Sequence, residues 1–372
     1  MENAIGLFSR LGCRLRGFGD DARTREVIGR ACRENGWFTP ADICRAVAAV
    51  ADGMLRRDAL AEWLAPYPVP VAEPRRVLVV MAGNIPLVGF FDMLCVLAAG
   101  HRCLVKPSAK DTVLMEYVIG LLRGIDPQVP VEFYDGSTSP DAVIATGSDN
   151  ANRYFRAQYA GIPALLRGNR QSVAVLGGRE TPAQLTALAD DIWAYSGLGC
   201  RSVSLLFLPE GYDLQLRMPE VNVKYRNSYR QQKALLTMGG QPFRDLGAAV
   251  AVEERAFPAA LSRINYSFYK SPAEVGAWLA AQGTLTASLR RIGTATYRML
   301  VYDHTLCYRR LVQDAVVTLR RHRLLFGEEE DCGANRVEYD SATDRLTLGC
   351  YGLFLPDDAT HPAAEEFETP VE

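Results

Sequence analysis

The sequence predicts an α/β protein with a parallel sheet, followed by a second α/β domain, and three stretches carry that prediction. First, Val77 to Met81 is a short apolar, β-branched run broken by Ala82-Gly83-Asn84, as a buried strand ending in a tight turn would be. Second, Pro86 opens a helical pattern that carries Leu87, Phe90, Phe91, Leu94, Cys95 and Leu97 until Gly100 ends it, and Arg102 to Val105 then reads as another strand closing on Lys106-Pro107-Ser108. Strand, turn, buried helix and strand within about thirty residues form a βαβ unit, whose ligand sites lie at the strands' carboxyl ends. Asn84 and Lys106 fall at two such ends. Third, the pattern recurs: Asp141 to Thr146 is a strand that stops at Gly147-Ser148 before a helix from Asp149 to about Tyr159.

The remaining elements follow in order. Residues 21–64 read as helical. Thr39-Pro40-Ala41-Asp42 is a helix start, with Thr39 as cap and Pro40 in the first turn, and Ile43, Val47, Val50, Met54 and Leu55 keep helical spacing behind it. Arg25, Arg30, Arg33 and Glu34 form a solvated face. Prolines 66, 68, 70 and 74 mark an extended linker. Thr112 to Leu122 is a helix and Pro130 to Tyr134 a strand. Further on, Ser172 to Leu176 is a strand, Thr181 caps a helix to Trp193, and Ser202 to Pro209 is a strong strand. Residues 211–288 mix helix and strand signals. From 295 the character shifts, with dense arginine at 309–323, an acidic triplet at 328–330 and a polar end from Asp357.

Composition narrows the partners. The formal charge of the 372 residues is −2, with no basic tract, which argues against nucleic acid and anionic membrane. The longest apolar stretch, Ile85–Gly100, holds Asp92 and is too short to span a bilayer. Residues 1–20 show no leader pattern, because arginines interrupt each apolar run. Nine cysteines, none spaced as CxxC, fit free thiols in a reducing cytoplasm rather than disulfides or zinc, so no metal is expected.

Cys200 stands out by its setting in Tyr195-Ser-Gly-Leu-Gly-Cys200-Arg201. Gly197 and Gly199 free the backbone for unusual dihedrals, and a helix end and a strand would hold the thiol between them. Arg201 would favour its thiolate. A cysteine on such a turn can attack a carbonyl while its own N–H binds the oxyanion; the plain alternative is a small inert residue, and the glycines alone do not separate the two. Asn84 is a candidate side-chain donor to an oxyanion, or simply an asparagine tolerated in a turn. Lys106 can bond a ribose or phosphate, or be an exposed strand-end lysine. Gly147-Ser148 opens a helix whose N–H groups can face a phosphate, although a plain turn serves as well, and the GxGxxG fingerprint is absent. His101 follows a helix end, where dipole complementarity accounts for it. No histidine lies near Cys200 in sequence.

Taken together, WFTPADI (37–43), AGNIPLVGFFDMLCVLAAG (82–100), LVKPSAKD (104–111), DAVIATGS (141–148), RGNRQSVAVLGG (167–178) and DIWAYSGLGCRSVSLLFLPEGYD (191–213) resemble the aldehyde dehydrogenase superfamily. Within it they resemble the acyl-CoA reductases related to the fatty-acid reductase of bacterial luminescence (LuxC-like). The resemblance implies an aldehyde dehydrogenase-like fold: a Rossmann-type parallel sheet for the cofactor plus an α/β catalytic domain. It implies Cys200 as nucleophile, Asn84 sharing the oxyanion hole with the Cys200 amide, Lys106 and Ser108 along the adenosine ribose, and Gly147 and Ser148 near the cofactor's phosphates and nicotinamide. The implied reaction is reduction of an acyl thioester, carried by CoA or acyl-carrier protein, to its aldehyde.

The sequence departs from the superfamily in ways that shape this expectation. Oxidising members place a glutamate in the segment matching 165–171, and here it reads Leu-Leu-Arg-Gly-Asn-Arg-Gln. Without that base, hydride or thiol exchange outruns hydrolysis, which favours a reductase. Ala109 and Lys110 follow Ser108 where NAD-preferring relatives often carry an acid, which leans toward NADPH, with NADH also admissible. The Gly-, Pro- and Asp-Gly-rich closing segment of the family is not found after Ile292. The expected organisation is a helical region 1–72, a cofactor domain 73–170, a catalytic domain 171–294 and a divergent segment 295–372. A cytoplasmic protein is expected, and a homo-oligomer is compatible with the sequence. The rivals are an oxidative dehydrogenase using a base such as Glu180, and a non-catalytic acyl- or cofactor-binding subunit. Arg170 and Arg201 are further candidates for CoA phosphates or thiolate support.

Overall fold

A computed structural model of the chain describes residues 1–292 apart from 66, 68, 169, 170, 201, 272, 273, 276 and 279–285, and beyond them 297–298, 335–340, 345–350 and 369–370. From 286 onward only the backbone is described. Residues 1–169 form one compact unit and a second begins at residue 170.

The first unit opens with helices α1 (Glu2–Leu15), α2 (Ala22–Glu34), α3 (Pro40–Ala48) and α4 (Arg57–Leu64), with a π-helical turn over Ala49–Met54. Thr39 caps α3 as its sequence demands, accepting from the Asp42 N–H at 3.1 Å and donating to the Asp42 carboxylate at 2.7 Å. Strands β1 (Arg76–Val80), β2 (Arg102–Lys106), β3 (Val131–Phe133), β4 (Ala142–Thr146) and β5 (Ala164–Arg167) then alternate with α5 (Phe90–Ala98), α6 (Thr112–Ile125) and α7 (Asp149–Gln158). The strands pair in the order β3-β2-β1-β4-β5, every pair parallel, with Val80 opposite both Lys106 and Ala145. The sheet order therefore reverses at β1 and β4. The short strand β5 gives no clear signal in the sequence.

Burial explains the patterns. Val77, Leu78, Val79 and Val80 are all buried, each contributing about 1.5–3 kcal/mol of transfer free energy, which is why β1 is continuously apolar rather than alternating. Helix α5 packs on β1 and β2 and also against α1, so its apolar residues run right round it. Helix α5 starts at Phe90 and not at Pro86. Leu87 has φ +56°, a left-handed conformation that no helix accommodates, and its N–H is tied to Asp111 Oδ2 at 2.8 Å. The proline-rich stretch before β1 is no loose linker. Tyr67, Val69 and Val71 are buried, and the Val71 N–H donates to the Ala99 carbonyl at 2.9 Å.

The second unit holds β6 (Gln171–Leu176), α8 (Pro182–Trp193), a 3₁₀ turn over Ala194–Gly197, β7 (Val203–Pro209), α9 (Val223–Met238), β8 (Arg244–Asp245), β9 (Val250–Glu253), β10 (Arg263–Tyr269), β11 (Thr286–Ile292) and β12 (Tyr297–Arg298). Their order is β12-β11-β6-β7-β10-β9-β8, parallel except at the two edge strands. Thr181 caps α8 in a full capping box with Gln184. Strands β13 (Asn335–Asp340), β14 (Arg345–Cys350) and β15 (Thr369–Pro370) make a separate antiparallel sheet. The arginine-dense and acidic stretches of 309–330 lie outside the described residues.

Gly100 concentrates the demands of the first unit at one atom position. Its φ is +90°, and a Cβ there would lie 2.7 Å from the Pro70 Cβ. The variant Gly100→Ala is expected to lose about 2 kcal/mol through left-handed strain and this clash, read as a melting temperature several degrees lower by circular dichroism.

Candidate active site

In the first unit the residues of interest gather where the parallel strands end. Asn84 is half-buried in the turn that leaves β1. The Met81 N–H extends the ladder to the Lys106 carbonyl at 3.0 Å. A Cβ on Gly83 would fall 2.5 Å from the Ser108 side chain, and a Cβ on Gly89 2.4 Å from the Met81 side chain, so glycines let this turn lie flat against the exit of β2. Two buried polar groups hold the turn. Asn35 Nδ2 donates to the Gly83 carbonyl at 3.4 Å, and Asp111 Oδ2 accepts from Leu87. Lys106 is exposed at the end of β2, and Ser108 is half-buried beside it.

Gly147 and Ser148 follow β4. The Gly147 N–H donates to the Arg167 carbonyl at 3.0 Å, so it completes the β4–β5 ladder and is spent there. The Ser148 hydroxyl accepts from the Ala151 N–H at 3.2 Å as the cap of α7. A Cβ on Gly147 would lie 3.0 Å from the Ala151 Cβ, which explains the glycine by strand–helix packing. Next to them is a pair that sequence reading did not foresee. Arg167 Nη1, at the end of β5, bonds both oxygens of Asp92 at 2.8 and 2.9 Å and the Thr146 hydroxyl at 3.4 Å. The signal was Asp92 itself, since a carboxylate inside an otherwise apolar helix needs a cation.

His101 departs from expectation. Its Nδ1 accepts from the Arg75 N–H at 3.0 Å, and burial together with the nearby Arg75 charge pushes its pKa down to about 4. A neutral imidazole cannot complement a helix dipole; the residue is an acceptor for the backbone.

In the second unit Cys200 is exposed at the entry to β7. The Ser172 hydroxyl, fully buried at the start of β6, donates to the Cys200 carbonyl at 2.8 Å. Behind it, Tyr195, Ser196 and Gly197 have φ of +54°, +57° and +66°, three successive left-handed residues. Two of them are not glycine, a cost of about 2–4 kcal/mol that surrounding contacts must offset. Beside this turn is a cleft of about 170 Å³ lined by Gly197, Gln171, Ser204, Tyr225 and the segment 258–264. Of the cysteines among the described residues, Cys95 and Cys103 are buried, and burial raises the Cys103 thiol far above its ordinary pKa, leaving it inert.

Glu180 is not near Cys200. Its Oε1 accepts from the N–H groups of Gly177 at 2.6 Å and Gly178 at 3.0 Å, just past the end of β6. Ser172, which holds Cys200, is at the start of that strand, so about 13 Å of extended chain separates the two. Arg170 and Arg201 lie outside the described residues. Among the described residues no cluster of histidine, cysteine or acid could hold a metal, and no helix is long and apolar enough to cross a membrane.

Comparison with known proteins identifies the fold. A structure on cofactor and substrate selection by Gox0499 superposes with a TM-score of 0.56 at 15% identity, covering 75% of this chain and 74% of that one. The NAD⁺ complex of an aldehyde dehydrogenase from Bacillus cereus gives 0.54 at 16%, covering 74% and 68%. An aldehyde dehydrogenase of Mycobacterium tuberculosis complexed with NAD⁺ gives 0.53 at 13%, covering 74% and 70%. The fold is thus that of the aldehyde dehydrogenases. No curated protein matches the chain in sequence. Residues 56–236 match the profile of the family described as Acyl-CoA reductase (LuxC), so this segment of the chain is similar to that family.

Stability should report the buried acid that holds the Asn84 turn. Burial raises Asp111 from 3.8 to about 8, so its contribution to stability is complete below pH 3.8 and is lost as pH rises through 8. His101, lowered from 6.5 to about 4, contributes fully above pH 6.5 and loses that contribution as pH falls through 4. Between 6.5 and 8 Asp111 alone of these two changes, and the melting temperature is expected to fall across that interval. In Asp111→Asn the fall should vanish, as a thermal-melt series in matched buffers would record.

Proposed function

We propose that the protein reduces an acyl thioester of coenzyme A or acyl-carrier protein, with a fatty acyl group as substrate, to the corresponding aldehyde through an acyl-enzyme on Cys200. The observation that carries this reading is the exposed Cys200 thiol held on a strained turn, its carbonyl fixed by Ser172. The reductive direction is supported by the β5–β6 segment. Where an oxidising relative would carry a glutamate, this chain has Leu165, Leu166 and an Arg167 whose charge is matched by Asp92, and Glu180 is bound to backbone amides elsewhere.

In the proposed cycle the Cys200 thiolate attacks the thioester carbonyl. The oxyanion receives hydrogen bonds from the Cys200 backbone N–H and the Asn84 amide. The carbon–sulfur bond to the carrier breaks, its thiolate leaves, and the acyl group stays on Cys200. A nicotinamide cofactor, NADPH or NADH, would supply hydride chemistry at the acyl carbon when held at the exits of β1, β2 and β4. The same donors then hold a second oxyanion, the bond to Cys200 breaks, and aldehyde leaves with the thiolate restored. For the cofactor we assign Lys106 and Ser108 to the adenosine ribose and the Gly147-Ser148 turn to the phosphates and nicotinamide. The exits of β1, β2 and β4 suit that group, being adjacent in one sheet at the reversal of strand order and kept small by Gly83 and Gly147. With the Gly147 N–H committed to the sheet, we assign phosphate contact to the first turn of α7 instead.

Incubation with an acyl-CoA and no reductant is expected to add one acyl mass to the protein and none to Cys200→Ser, and later NADPH should discharge it as aldehyde. An intact-mass spectrum without adduct on the wild type overturns the proposal. Asn84→Ala should still fold but form the adduct about 10²–10³ times more slowly, as followed by quenched single-turnover mass spectrometry.

A further inference from the structure

The strained turn before Cys200 needs something to hold it, and the contacts around it identify that support. Trp193 is the last residue of α8 and leads directly into the turn. Its indole Nε1 donates to the Tyr225 hydroxyl at 3.0 Å, and both side chains are buried. The position of a Cβ on Gly197 is 3.9 Å from the Tyr225 ring, 3.8 Å from Leu261 and 3.2 Å from the Ile192 carbonyl. The Leu198 N–H closes the turn onto the Tyr195 carbonyl at 3.2 Å. A cleft borders Gly197 and Tyr225 on this side of the turn.

We propose that Tyr225 is a positioning residue for the nucleophile: by accepting from Trp193 and lying under Gly197, it fixes the left-handed turn and with it the directions of the Cys200 thiol and backbone N–H. Helix α9 thereby acts on the chemistry without touching substrate. Burial keeps the Tyr225 phenol protonated well above its ordinary range, so the hydroxyl remains an acceptor for the indole at any pH the protein meets. Ser172 fixes the other end of the same segment through the Cys200 carbonyl, and Tyr225 and Ser172 together leave the 195–200 backbone little room to relax. This inference rests on Cys200 being the nucleophile, so its test includes a readout independent of acyl transfer.

Tyr225→Phe removes the acceptor and keeps the ring; Trp193→Phe removes the donor. In each, Cys200 and the exposed Cys13 are alkylated with iodoacetamide and quantified by peptide mass spectrometry, with Cys200→Ser as blank. Acyl-adduct formation from acyl-CoA and the melting temperature are measured alongside. Both variants are expected to change the ratio of Cys200 to Cys13 alkylation and to slow acylation about tenfold or more at an unchanged half-saturating acyl-CoA concentration. The double variant should be no worse than either single one, since both remove the same bond. Wild-type alkylation ratios and acylation rates in a folded Tyr225→Phe or Trp193→Phe protein overturn the proposal, as do effects that add in the double variant. Should the wild type show no acyl adduct at all, the acyl-transfer reading fails while the alkylation ratio still decides the role of Tyr225.

Discussion

Parallel pairing gives each sheet two chemically different ends, and that constraint organises both units. In the first, β2, β1 and β4 finish side by side, so Ser108, Asn84 and Gly147 leave one edge although Asn84 and Gly147 lie more than sixty residues apart along the chain. Their turns must be thin to fit. The glycines at 83 and 89 meet that need by contact, since a Cβ at either would strike Ser108 or Met81. The second unit uses the opposite end. Cys200 stands where β7 begins, and the partner strand β6 reaches it from its own first residues through Ser172. A sheet's carboxyl end collects loops that follow strands; its amino end collects the loop that carries Cys200.

Both ends are held by buried polar groups rather than by packing alone. Leu87 in the first unit and Tyr195 and Ser196 in the second take left-handed dihedrals without being glycine. Each strained segment has a hydrogen bond nearby whose partner comes from elsewhere in its unit: Asp111 for Leu87, Ser172 for Cys200, and Tyr225 through Trp193. Strain of this kind persists only where the surroundings over-determine it. It also gives these turns one geometry instead of several, a benefit when donors must be aimed before a charge develops.

The regular elements were legible because their signals are local. The β-branched run at 77–80, the caps at Thr39 and Thr181 and the stop at Gly100 are each decided by a few neighbouring residues, and the structure places elements there. What sequence could not reveal depends on contacts across the chain. Leucine at 87 looks like a helix residue until Asp111 takes its N–H. His101 looks like a cation until burial and Arg75 make it neutral. The prolines at 66–74 look like a linker because nothing local shows that the end of α5 binds Val71. The Cys200 turn was partly legible: its glycines marked conformational freedom, but the left-handed run begins two residues before Gly197, at a tyrosine and a serine that carry no such mark.

The charges around the first unit's edge carry the last step. A carboxylate lies at this edge, Asp92, but it is nearly buried and both of its oxygens bond Arg167. Pairing of that kind is structural, because separating the two would leave an uncompensated charge in a poorly solvated site. The arginine also occupies the strand exit beside the segment where oxidising relatives carry their glutamate. The exit of β5 thus carries a cation already matched by the one acid that α5 buries, and the sequence 165–167 reads as apolar strand ending in a structural ion pair.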